Sequence, residues 1–184
     1  SLVGSEMCIR DRAESGRLVI VEINTEITTE VLYRFETPIT QDARGRRCWD
    51  FPKIIAEVTH ALSLAAPHGP FESLGVDTWG LDFGLLDANK ELVTLPVSHR
   101  DHRTDGYLEK ASTMVSRERL HFETGAQLLE INSVYQLLSI VENTPDELEK
   151  AKYFQLMPDL ILFALTGEIG TEYTIASTPG LYDT

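Results

Sequence analysis

The stretch Leu74-Gly-Val-Asp-Thr-Trp-Gly-Leu-Asp-Phe-Gly-Leu-Leu-Asp87 constrains the fold more than any other part of this chain. Gly75-Val76 and Phe83-Gly84-Leu85-Leu86 are apolar runs of strand length. The polar residues between them predict a tight turn, with the second strand running back along the first. Gly80 has no Cβ, so the backbone can come close to a neighbour there. Asp77, Thr78 and Asp82 offer oxygen acceptors to the hydroxyl groups of a small polar molecule, and the Trp79 indole offers a flat apolar wall. That combination suits a sugar. The plain alternative is a hairpin with a turn glycine and solvated acids.

A chain of 184 residues can bury one respectable core. Its net charge of −13, from 16 basic and 29 acidic residues, argues against non-specific binding to nucleic acid or to an anionic membrane. An anionic ligand would need local amides, an arginine or a metal ion. The apolar run Leu160-Ile-Leu-Phe-Ala-Leu165 falls far short of the ~20 residues of a membrane helix. Cys8 and Cys48 form no ligand-spaced cluster, so neither a disulfide framework nor a zinc site is read, and a cytoplasmic location is expected. The opening Ser1–Arg12 shows neither strand alternation nor a helical stripe. It resembles translated adaptor or vector sequence, and residues 1–12 are expected to be a non-native leader to a domain spanning 13–184.

Arg17–Ile23 and Ile27–Phe35 are β-rich and separated by Asn24-Thr25-Glu26, which predicts an antiparallel hairpin. Asp50 as N-cap, Pro52 in the first turn, and the stripe Ile54, Ile55, Val58, Ala61, Leu62 predict a helix. Beyond Asp105 the pattern turns helical, with stripes at Leu108, Ala111, Met114, Val115 and at Val134, Leu137, Leu138, Val141. Further helices are expected to begin at Pro145 and at Pro158. Strand pairs followed by helix, strand and helices indicate an α/β chain with a mixed sheet.

Asp77-Thr-Trp-Gly-Leu-Asp-Phe-Gly-Leu-Leu-Asp87 resembles the rhamnulokinase signature within the FGGY family of carbohydrate kinases. Six further segments follow in that family's order: 96–106, 124–127, Asn132-Ser-Val-Tyr-Gln-Leu137, Leu156-Met-Pro-Asp-Leu160, 165–168 and Glu172-Tyr-Thr-Ile-Ala-Ser-Thr178. The resemblance implies the N-terminal lobe of a ribonuclease H-like fold of the actin and hexokinase type, a mixed β-sheet flanked by helices. It implies transfer of the ATP γ-phosphate to a ketose, L-rhamnulose above others, with Mg2+ as helper. The catalytic base of such kinases is an Asp expected beyond Thr184, as is most of the adenine-binding C-terminal lobe. The implied partners are therefore the sugar, ATP and that missing lobe. Another FGGY kinase for a different ketose or polyol, and a non-catalytic sugar-binding or actin-like module, remain alternatives.

By the same resemblance Ala13-Glu14-Ser15-Gly16-Arg17 occupies the place of the nucleotide-phosphate loop; read alone, this pentapeptide is an ordinary hairpin turn. An Asp-x-Gly normally precedes that loop in the family, whereas Asp11-Arg12 sits nearby out of pattern. Gly80 matches the family's sugar-contacting glycine, and Trp79 and Asp82 are candidates to shape the same pocket; as residues they also fit a core indole and a turn carboxylate. Gln127 and Asn132 are candidate wall groups. The chain departs from the family at Glu130-Ile131, where Pro and an aromatic are usual, and at Ile175 and Pro179-Gly180. His99 and His102 bracket Arg100-Asp101, and the charged run Arg100–Asp105 fits an ion-paired turn better than a metal site. Asp77 and Asp82 supply no sign of the separation a glycosidase pair needs.

Overall fold

The computed structural model describes residues 4–12 and 14–181, with side chains from residue 14 onward. In chain order the elements are strands β1 (Gly4–Arg12), β2 (Ser15–Ile23), β3 (Ile27–Glu36), β4 (Ile39–Gln41) and β5 (Arg47–Trp49), helix α1 (Phe51–Ala65), and strands β6 (Ser73–Asp77) and β7 (Phe83–Leu86). Then come helices α2 (Tyr107–Ser112), α3 (Arg117–Thr124), α4 (Ser133–Asn143) and α5 (Pro145–Lys150), strand β8 (Tyr153–Leu156), and helices α6 (Met157–Thr166) and α7 (Tyr173–Ala176). They form two compact units, residues 1–38 with 50–79 and residues 39–49 with 80–184.

The first unit is a four-stranded mixed sheet in the order β3-β2-β1-β6, with α1. The expected hairpin is present: Ile23 pairs with Ile27, and the ladder runs back to Ser15 opposite Glu36, with a bulge beside Leu18. Burial alternates along β2, where Gly16, Leu18 and Ile20 point inward. From β3, Tyr33 reaches α1: its hydroxyl donates to Glu57 at 2.9 Å, and its ring meets His60 edge-on. Helix α1 forms as its sequence predicts. The Asp50 carboxylate accepts from the Lys53 amide, Pro52 needs no donor in the first turn, and Phe51, Ile54, Val58, Ala61 and Ala65 make the buried stripe. Burying a side chain of the size of Phe51, Ile54 or Val58 contributes about 1.5–3 kcal/mol.

Two expectations change in this unit. The sequence pattern assigns no element to residues 1–12, yet β1 lies between β2, antiparallel, and β6, parallel. Ladders are made by main-chain groups, so neighbours on both edges can recruit a segment with no side-chain pattern. The hairpin expected around Gly80 is also absent. Strand β6 pairs with β1, whereas β7 pairs with β8, so the turn leads from one sheet into another.

In the second unit β7 and β8 are antiparallel, and their inward face holds Phe83, Leu85 and Leu156 against Ile140 of α4. The Phe83 and Phe154 rings lie 4.5 Å apart. A Cβ on Gly84 would stand 2.7 Å from a Leu160 methyl group, so α6 packs directly on bare backbone there. A partly buried ion cluster ties the β4–β5 turn to α5: Arg46 bonds Asp42 at 2.7 Å and Glu147 at 2.8 Å, and Arg44 also reaches Glu147.

Helix α4 shows one reversal. The expected apolar stripe Val134, Leu137, Leu138, Val141 lines an open groove of about 300 Å³ with residues of α2 and α3. The face buried deepest carries Ser133, Tyr135, Gln136, Ser139 and Ile140. The polar members of that face are wired to the segment described next. Among the described residues no helix is long and apolar enough to cross a membrane.

Candidate functional site

The turn between β6 and β7 bends at Gly80, and Leu81 follows with φ +80°. A non-glycine residue in that region costs on the order of 1–3 kcal/mol and persists only where its surroundings hold it. Here they do. The Leu81 carbonyl accepts from Ser133 Oγ at 2.5 Å and from Gln136 Nε2 at 3.2 Å, and the Asp82 carbonyl accepts from the Met157 amide at 3.1 Å. Gly80 is half-buried. A Cβ placed on it would lie 3.0 Å from Thr178 Oγ1.

Asp82 is completely buried. Its Oδ2 accepts from the Trp49 indole N–H at 2.7 Å and from His99 Nδ1 at 2.8 Å, and its Oδ1 accepts from Gln136 Nε2 at 3.3 Å. A carboxylate only accepts, so the His99 proton in this contact sits on Nδ1. Gln136 also donates to the Ile131 carbonyl at 2.8 Å, and its own Oε1 accepts from Arg103 at 2.5 Å. Burial pushes the Arg103 guanidinium down to about 10, helped by the charge of Arg46 and opposed by Asp82. It stays protonated at neutral pH. Ser139 Oγ closes the network on the Arg103 carbonyl. Buried charges cost several kcal/mol unless bonded, so removing any one partner exposes that cost.

Asp82 therefore stands behind the bend, with its carboxylate bonded to Trp49, His99 and Gln136. Trp79 is half-buried and closes the first unit, where its carbonyl accepts from Thr78 Oγ1. Gln127 is exposed, and its carbonyl accepts from the Asn132 side-chain amide at 2.9 Å. Asn132 is buried, with its Oδ1 lacking a hydrogen bond. Glu130, one of the departures from the family pattern, accepts from the Gly106 amide. The charged run after His99 is structural: Asp101 caps a short 3-10 turn and accepts from the Arg47 amide, and His102 pairs with Asp105. Among the described residues no three His, Cys, Asp or Glu side chains gather as a metal group.

In the first unit, Ala13 lies outside the described residues. Glu14 is exposed, and its carbonyl meets the Thr37 amide. Ser15, Gly16 and Arg17 belong to β2, paired with β1 and β3, so of the expected loop Glu14 is the described residue that stands in a turn. A Cβ on Gly16 would stand 2.1 Å from the Phe35 ring, which packs flat on the glycine. Ser15 and Arg17 share the opposite face of the strand.

Sequence reasoning missed Trp49, His99, Arg103, Ser133 and Gln136 as partners of the bend. One signal was present: Ser133, Gln136 and Ser139 recur every third residue on one helix face.

The profile described as "FGGY family of carbohydrate kinases, N-terminal domain" matches residues 13–184. The rhamnulokinase of Halalkalibacterium halodurans is 40% identical over 171 residues, which is 92% of this chain and 36% of that protein. The rhamnulokinase of Oceanobacillus iheyensis is 40% identical over 172 residues, with the same two shares. The chain thus spans about a third of the length of these relatives. Among solved structures, a ligand-bound xylulose kinase from Lactobacillus acidophilus superposes with a TM-score of 0.84 at 18% identity, covering 97% of this chain and 36% of that one. A Plasmodium falciparum glycerol kinase with ADP gives a TM-score of 0.77 at 13% identity, covering 98% and 38%. These likenesses fix the fold as the N-terminal lobe of the actin and hexokinase type. The pinned Gly80 bend, the α/β fold and the profile spanning nearly the whole chain agree: the chain belongs to the FGGY family of carbohydrate kinases.

Proposed function

We propose that this chain is the sugar-contacting part of an ATP-dependent ketose kinase, and that the ketose is L-rhamnulose, phosphorylated at its 1-hydroxyl. The Gly80 bend carries the reading. Its backbone is half-buried, with Thr178 packed on its Cβ side, and three hydrogen bonds from α4 and α6 fix it next to a strained Leu81. Such a surface lets a ligand approach a main chain that does not move, which is what positioning a hydroxyl for transfer requires. The relatives called rhamnulokinase support the choice of sugar. Replacement of Pro and an aromatic by Glu130-Ile131 favours one second reading, a related ketose or polyol, because an aromatic stacking surface is lost.

In the transfer, the sugar oxygen bonds to the γ-phosphorus, the bond to the bridging oxygen breaks, and ADP leaves. The hydroxyl proton passes to a carboxylate base, an Asp expected beyond Thr184. ATP supplies the phosphoryl group when bound, and Mg2+ its charge neutralisation. Of the residues in the loop position, Ser15 and Arg17 fit phosphate by chemistry, as a hydroxyl and a cation on one strand face. Glu14 opposes it by charge, and Gly16 is occupied with packing Phe35. No magnesium ligand set is assigned.

A calorimetric panel of ketoses and polyols against the 184-residue chain, run beside a coupled ADP-release assay, tests the proposal. L-rhamnulose should bind most tightly, with no turnover. ADP release by this polypeptide, or tighter binding of another sugar, would overturn it.

A further inference from the structure

We infer that Thr178 is a specificity-determining residue, and that it makes the Gly80 site select a neutral hydroxyl-bearing ligand over its carboxylate counterpart. The inference rests on the proposed sugar site and concerns which ligand that site takes. Thr178 follows α7, and its Oγ1 lies over Gly80, 3.0 Å from the position a Cβ would take. Thr178 covers the Cβ side of that glycine, and a ligand reaching the half-buried Gly80 backbone comes beside this hydroxyl.

The hydroxyl is already oriented. Thr178 Oγ1 donates to the Ile175 carbonyl at 2.8 Å, and the Thr178 amide donates to the same carbonyl at 3.1 Å. A threonine hydroxyl has one proton and two lone pairs, so with the proton committed it can only accept. It therefore rewards a ligand O–H and repels a carboxylate oxygen.

The segment that carries Thr178 is held in place from the other side. The Pro179 carbonyl accepts from the Val134 amide at 3.2 Å, and a Cβ on Gly180 would touch Val134 and Asn132. Asn132 is 2% exposed, and its Oδ1 is a second acceptor with no donor. Asn132 therefore backs this segment from inside the unit, and Thr178 Oγ1 is the acceptor on its outer side. A polyhydroxylated ligand is the chemistry that supplies donors to such an acceptor.

The test is titration calorimetry of the 184-residue chain, with Thr178→Ser and Thr178→Val beside it, using L-rhamnulose and the sugar acid L-rhamnonate. Thermal melts check that each variant folds. The serine variant should bind the ketose within about twofold of the parent. The valine variant, which keeps shape and loses the acceptor, should bind it about three- to tenfold more weakly, the worth of one hydrogen bond. Binding of the acid should not weaken, so the ketose-to-acid preference should fall by the same factor. Equal loss of both ligands in the valine variant would mark Thr178 as merely structural and overturn the inference, as would no loss of either. If the parent chain binds no ketose, the sugar site itself fails and Thr178 falls with it.

Discussion

Replacing Gln136 by Met tests how the bend is held. The two side chains are similar in length, so the change opens little space and removes polar atoms only. Gln136 donates to the Ile131 carbonyl, the Leu81 carbonyl and Asp82 Oδ1, and accepts from Arg103. Leu81 keeps Ser133 as a donor. The Ile131 carbonyl, the Asp82 oxygen and the Arg103 guanidinium, whose Nε already lacks a partner, each lose a bond. At roughly 1–3 kcal/mol for each orphaned group, and with partial relaxation, the loss is about 3–6 kcal/mol. That is a large part of an ordinary domain's stability of about 5–15 kcal/mol. Urea unfolding followed by circular dichroism should show a lower midpoint at unchanged slope. The melting temperature should fall by about 6–24 °C. A loss below about 1 kcal/mol, with Gln127→Ala as an exposed control, would refute the view that this glutamine pins the bend.

Gly16→Ala should destabilise the first unit by about 1–3 kcal/mol through overpacking on Phe35, with partial recovery in the double variant Gly16→Ala, Phe35→Leu, read by chemical denaturation. Burial tends to raise the Asp42 carboxyl, but the Arg46 guanidinium and the Arg44 and Arg46 amides hold it below its usual range. Its folded value lies under its unfolded one, so its contribution is complete above about pH 4 and lost as pH falls through the folded value. The stability gap between the parent and Asp42→Asn should therefore shrink on acidification; a gap that is flat or widens would contradict the ion cluster. Burial pushes the Cys48 thiol up to about 11, and the residue is fully enclosed. In a Cys8→Ser background a thiol reagent should label nothing in native protein and one group in denaturant.

Strands and helices with strong local signals were legible from sequence. The β2–β3 hairpin and α1 follow from alternation, an Asp cap and a 3.6-residue stripe, all of which act within a few residues. The Gly80 motif was legible as a backbone feature for the same reason. What sets its geometry was not, because Asp82 is held by Trp49, His99 and Gln136, which are 33, 17 and 54 positions away. The apolar pattern also misdirected the reading of α4. Its leucines and valines face an open groove, while Ser133 and Gln136 go inward, because buried carbonyls and a buried carboxylate need donors more than the core needs another methyl group. Pairing partners were equally hidden: nothing local in Ser73–Asp77 shows that it runs parallel to β1 and does not turn back on β7.

The most direct measurement is the backbone amide resonance of Gly80 in isotopically labelled protein during a titration with L-rhamnulose. The resonances of Gly80 and Thr178 should move together along one saturating curve, and that curve should give the calorimetric affinity. An amide at Gly80 that stays fixed at saturating sugar, while signals elsewhere shift, would contradict the account.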